Sequence, residues 1–229
     1  MPLILGTNSI KDTGYAVDNS CRFAHDGADK LDRTTETPTL GTKFTVSFWC
    51  KRDNLGDYHH ILTTTANPGN WDSIRFSNGD ALQVLLNNET ANYTTNRLFR
   101  DVSAWYHIVI RVDTTDSTAG DRLKIYVNGV EETSFSTETD PALNYVFNYQ
   151  VSGKTVRIGA NTWNISTGHE KLGGYVCEFC FVDGQALDPT SFGEFDSDSP
   201  NIWKPIDVSD LTFGDNGFYL DFKDSSALG

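Results

Sequence analysis

The apolar residues of this chain recur at every second position, segment after segment, and no long stretch sustains a 3.6-residue period. Residues two apart share a side only in an extended strand, so the pattern points to β-structure with one face of each strand buried. The clearest segment runs from Phe44 to Lys51. Phe44, Val46, Phe48 and Cys50 share one face there, and Thr45, Ser47, Trp49 and Lys51 the other. A second, Trp105 to Val112, puts Tyr106, Ile108, Ile110 and Val112 together. Leu123 to Val127 leads through Asn128-Gly129 into Val130. That dipeptide suits a type I′ hairpin turn, whose two central residues need positive φ. Further strands are expected at Thr155–Gly159, Tyr175–Val182 and Gly217–Phe222. Asp188 to Phe195 is the one helical candidate; Asp188 can cap, Pro189 suits the first position and Gly193 limits the length to one or two turns.

No linker or internal repeat divides the 229 residues. The expectation is one all-β domain over residues 1–229, core about 15–222, built as a two-sheet antiparallel jelly-roll β-sandwich with loops at its edges. The net charge of −13, without any Lys/Arg run, opposes a phosphate-binding surface and so nucleic acid. Met1 to Gly6 lacks the basic and apolar regions of a signal peptide, and no apolar stretch is long enough for a membrane span. Cys21, Cys50, Cys177 and Cys180 all lie in strand-like segments. In a regular strand Cys177 and Cys180 face opposite sides, so buried free thiols are expected rather than a metal pair.

Several segments, in order, resemble the laminin-G-like branch of the concanavalin A-like lectin/glucanase superfamily. They are Ser20 to Gly27 with Asp29-Lys30-Leu31, Phe44 to Lys51, Trp105 to Val109, Leu123 to Gly129, Val156 to Ala160 and Gly174 to Leu187. A narrower likeness rests on Asp101 to His107, Thr133 to Thr139, Asp183 to Leu187, Phe192 to Glu194 and Asn216 to Phe222. These resemble virion proteins of marine bacteriophages. Such proteins often continue past a stretch like Ser225–Gly229, which implies one domain of a longer protein. The resemblance implies a tail or capsid-surface location and many copies or a homo-oligomer in the virion. It does not name a ligand, because one fold hosts many functions.

Glucanases of the superfamily place three acids at alternate positions of one strand. Glu194-Phe195-Asp196-Ser197-Asp198 is the nearest string here, but it lies in an irregular stretch and ends in Asp, so a solvated loop is expected. Gly153-Lys154-Thr155 lacks the upstream glycine of a phosphate loop, His169-Glu170 lacks a second zinc-ligating histidine, and no Gly-x-Ser-x-Gly occurs. His59 and His60 are expected on the surface. An enzyme is not expected. Sugar binding needs a flat apolar surface with amides or carboxylates nearby, and two loops have that composition. Asn70, Trp71 and Asp72 follow a turn sequence, and Asn161, Trp163 and Asn164 follow a strand end. Trp49 sits either on a concave sheet face or under a covering loop, and Trp105 and Trp203 read as structural. No cofactor is required. Calcium is common at the rim of the superfamily, and Asp113, Asp116 and Asp121 are its candidate ligands. The Asn-x-Ser/Thr strings at Asn88, Asn92 and Asn164 are expected to be chance matches. Two functions follow: a virion-surface lectin-like domain that holds host glycans, and a structural decoration or adaptor domain that packs against other virion proteins.

Overall fold

The computed structural model describes residues 15–27, 29–64, 71–161 and 170–224. The strands are β1 (Cys21–Phe23), β2 (Leu31–Thr34), β3 (Lys43–Arg52), β4 (His59–Thr64), β5 (Ser73–Phe76) and β6 (Ala81–Leu86). Next come β7 (Ala91–Leu98), β8 (Tyr106–Asp113), β9 (Leu123–Val127), β10 (Val130–Glu131) and β11 (Phe135–Thr139). The rest are β12 (Thr155–Ile158), β13 (Gly174–Asp183), β14 (Gly193–Phe195), β15 (Trp203–Pro205) and β16 (Phe218–Leu220). They form two seven-stranded antiparallel sheets. The first runs β1-β13-β3-β8-β9-β10, with β16 also on β13; the second runs β11-β7-β6-β5-β4-β12-β2. The small pair β14–β15 stands apart.

The alternation seen in the sequence decides which side of each strand meets the other sheet. Phe44, Val46, Phe48 and Cys50 of β3 and Ile108, Ile110 and Val112 of β8 enter the main core, with Ile74, Phe76, Leu82 and Val84 from the second sheet. The Asn128-Gly129 turn has φ of 49° and 78°, as a type I′ hairpin requires. Arg52 extends the inward set of β3 and is fully buried. Its guanidinium meets Asp80 Oδ1 at 3.0 Å, donates to the Phe99 carbonyl and lies 4.8 Å from the Phe76 ring centroid. Pairing makes this burial tolerable, since an unpartnered buried charge is strongly destabilising.

A bulge in β13 changes one expectation. Cys177 pairs with Trp49 and Cys180 with Ser47, so three steps on β13 match two on β3. The extra residue, Glu178, has φ of 49°, and both thiols consequently lie on the same, outward face. All four cysteines are buried free thiols. Glu178 is itself buried and accepts hydrogen bonds from the hydroxyls of Tyr15 at 2.7 Å and Tyr219 at 2.6 Å, joining the beginning and end of the described chain.

The outward face of the first sheet is covered in part by the segment that follows β13. Phe192 and Val208 pack on Val109, Tyr126, Cys180 and Val182 in a second apolar cluster. The expected helix is a single 3-10 turn, Pro189–Ser191, with Asp188 before it but making no side-chain cap. Gly193–Phe195 is a strand rather than the end of that helix.

Candidate functional site

Farther along that outward face lies an aromatic group. Trp49 of β3 stacks on His107 of β8 with centroids 4.8 Å apart, and Trp203 of β15 lies alongside His107, nearly parallel to it at 5.9 Å. Trp203 Nε1, which can only donate, bonds His107 Nδ1 at 2.8 Å. The imidazole proton therefore sits on Nε2, 2.9 Å from Ser47 Oγ, to which it donates. Burial lowers His107 to a pKa of about 3, so the ring is neutral at physiological pH. Asn128 completes the hold by accepting from the His107 N–H and donating to its carbonyl. Gly129 is required twice over: its φ is 78°, and a Cβ there would stand 2.3 Å from Trp203 Cε3.

Two adjoining clefts share Trp49, Trp105 and Trp203 as walls. The first, about 390 Å³, reaches Asp18, Asn19, Ile202 and Lys204. The second, about 510 Å³, reaches Arg97, Asn128, Val130, Phe195 and Asn201. The first is mainly apolar and the second mixed, and their rims carry open apolar surface, since Trp105 is 37%, Ile202 43%, Phe195 45% and Val130 55% exposed. Large aromatic and aliphatic surface beside amide groups is the arrangement that a flat, hydroxyl-bearing ligand fits. Trp203 is buried, in keeping with a structural part, whereas Trp105, just before β8, is partly exposed at the cleft edge. Its neighbour His107 is buried. The signal in the sequence was Trp49, a large aromatic in the polar set of its strand.

Two acids beside the cleft are committed to structure. Glu194 and Asp196 lie 3.1 and 3.4 Å from Lys204 Nζ. Asp196 accepts from the backbone N–H groups of Asp198 and Ser199, and these bonds hold its carboxyl below the usual range. A general acid for glycoside cleavage needs the opposite shift. Ser47 and His107 likewise make no nucleophile pair, because the Trp203 bond leaves His107 donating to Ser47 rather than accepting from it.

The loop candidates fare differently. Trp71 is half-buried, and its backbone N–H donates to Asn88 Oδ1. Asp72 is corrected from a surface contact to a fully buried foundation. It accepts from the Asn87 and Tyr149 N–H groups and from the Asn148 amide, and burial raises its pKa to about 6. Asn161 is also buried, its amide on Glu170 and its carbonyl on Arg157. Asn70, Trp163 and Asn164 lie outside the described residues. His59 and His60 are not on the surface but fully buried; desolvation lowers His59 to about 4 and His60 well below 6.5.

The calcium candidates are held separately. Asp113 pairs with Lys43 at 2.7 Å and accepts from Thr115, Asp116 accepts from the Thr118 N–H, and Asp121 pairs with Lys124 at 3.0 Å. Among the described residues no group of three or more His, Cys, Asp or Glu side chains is placed to hold a metal ion. No helix among them is long and apolar enough to cross a membrane.

A laminin-G model described as the concanavalin A-like lectin/glucanases superfamily matches residues 26–190, more than half of the chain. Domains LG4-5 of the mouse laminin alpha1 chain superpose with a TM-score of 0.52 at 12% identity, covering 89% of this chain and 47% of that one. The heptameric SAP-like pentraxin from Limulus polyphemus gives 0.50 at 18% identity, covering 72% and 76%. NanB sialidase from Streptococcus pneumoniae gives 0.50 at 16% identity, over 75% of this chain but 26% of the sialidase. At such identities the likeness is one of fold. No curated protein matches the chain in sequence.

Proposed function

Since the chain belongs to the concanavalin A-like lectin/glucanases superfamily, we propose that it is a non-catalytic glycan-binding domain on the surface of a bacteriophage virion. There it holds host-cell glycans weakly and gains avidity from many copies. The virion setting rests on the sequence resemblance of Asp101 to His107, Asp183 to Leu187 and Asn216 to Phe222. The observation that carries glycan binding is the pair of clefts walled by Trp49, Trp105 and Trp203, with Asn19 and Asn201 within them. Sugar rings would lie on the exposed apolar rim while amides take the hydroxyls. The superfamily description covers binders and hydrolases alike, and the chemistry beside the clefts favours binding. Asp196 is held ionised and His107 carries its proton on the wrong nitrogen for activating Ser47.

A multivalent form of the protein on an array of bacterial surface polysaccharides tests this proposal. Binding that disappears in the monomer and returns with valency supports it; silence at every valency removes it. The exposed Val130, Phe195 and Ile202 also suit a packing surface in the particle. In that second reading Trp105 is buried in the assembled virion, and chemical footprinting of Trp105 in intact particles separates the two.

A further inference from the structure

Resting on the glycan-binding reading above, we infer that the ligand is an uncharged glycan rather than a sialylated, uronic or sulfated one. Four charged side chains line the two clefts: Asp18, Asp196, Lys204 and Arg97. Both cations already have acidic partners. Lys204 Nζ is shared by Glu194 at 3.1 Å and Asp196 at 3.4 Å. Arg97 Nε meets Glu132 Oε2 at 2.6 Å, and Glu132 is buried. Lys51, the next outward residue of β3 after Trp49, is coupled electrostatically to Asp101.

An anionic sugar entering the first cleft must therefore displace a carboxylate from Lys204 or bring its own charge against Asp18 and Asp196, and in the second it meets an Arg97 whose charge buried Glu132 already offsets. The net charge of −13 adds a repulsive field at longer range. Neutral pyranoses or furanoses meet none of this. Their apolar C–H faces fit Trp105 and Phe195, and their hydroxyls can bond the Asn19 and Asn201 amides. Binding of this kind is dominated by short-range contacts, so salt leaves it nearly unchanged.

The test is titration of the full chain with neutral oligosaccharides of glucose, galactose, mannose and arabinose, and with oligogalacturonate, oligosialate and heparin fragments. Tryptophan fluorescence and calorimetry are read at about 20 and about 500 mM NaCl, which moves the Debye length from tens of ångströms to a few. The expected result is binding of at least one neutral series, with a Kd that changes less than about twofold with salt. Glu132→Gln supplies a gain-of-function arm. It releases Arg97, so acidic oligosaccharides should gain severalfold in affinity while neutral binding stays within about twofold. Wild-type preference for an acidic series, weakening about tenfold or more with salt, overturns the inference but leaves glycan binding standing. No gain in Glu132→Gln also counts against the charge account. Failure of every series, neutral and acidic, brings down the glycan-binding proposal and this inference with it.

Discussion

Trp203 shows how much one side chain can settle. Its indole N–H fixes the His107 tautomer, its ring lies beside the imidazole that stacks on Trp49, and its edge lies against Gly129. Gly129→Ala thus faces both the left-handed backbone and the indole. Gly56, with φ of 81° and open space where a methyl would stand, faces the backbone alone. Urea denaturation should show Gly56→Ala costing about 1–2 kcal/mol and Gly129→Ala clearly more. Equal losses would mean that Trp203 yields freely. Little of this was legible beforehand. Asn128-Gly129 announced the turn, but nothing local says which tryptophan from a distant segment will lie on it. The same limit hid the burial of Asp72 and the exposure of Trp105: burial of a loop residue is decided by what the rest of the chain brings over it, and sequence spacing carries no record of that.

Strands with long alternation, such as β3 and β8, were readable because the period fixes the buried side. Of the short ones, β12 and β16 fall within runs expected from the sequence, and others do not. β14 and β15 have three residues each, too few for a period, and pair across Glu194 and Lys204. The β13 bulge was hidden for a different reason, since one extra residue reverses the alternation after it and puts Cys177 and Cys180 on one face. Glu178 bears that irregularity in a left-handed conformation that disfavours a Cβ. Comparison of two variants isolates the strain, because both lose the carboxylate bonded by Tyr15 and Tyr219. Glu178→Gly should be more stable than Glu178→Ala by about 1 kcal/mol, the reverse of the order in a regular strand. Thermal melts of the pair check this, and the ordinary strand order would show the bulge to be unstrained.

At the scale of the whole molecule, two facing antiparallel sheets around one apolar layer follow from the alternation, and the family match agrees. Burial of three histidines makes that assembly acid-sensitive. His107 at about 3, His59 at about 4 and His60 well below its usual value stay neutral while an unfolded chain takes up protons below pH 6.5. Their contribution is complete above pH 6.5 and declines as pH falls toward the folded values. Asp72 acts oppositely: raised to about 6, it contributes most at low pH, and that contribution is lost between about pH 4 and 6 as pH rises. Three groups outweigh one. Stability at pH 4.5 should fall below that at pH 7 by at least about 3 kcal/mol, the part owed to His59 and His107 after the Asp72 offset, and a flat profile from chemical denaturation would contradict the burial of these rings. The functional account stands on the location of the sugar surface, on the outward face of the first sheet rather than on the loop around Trp71. The most direct measurement compares Trp105→Ala with Trp71→Ala for binding of multivalent protein to the glycan that wild type retains. The account predicts that Trp105→Ala loses about tenfold or more in affinity while Trp71→Ala stays within about twofold. Loss confined to Trp71→Ala would contradict it and return the site to the loop.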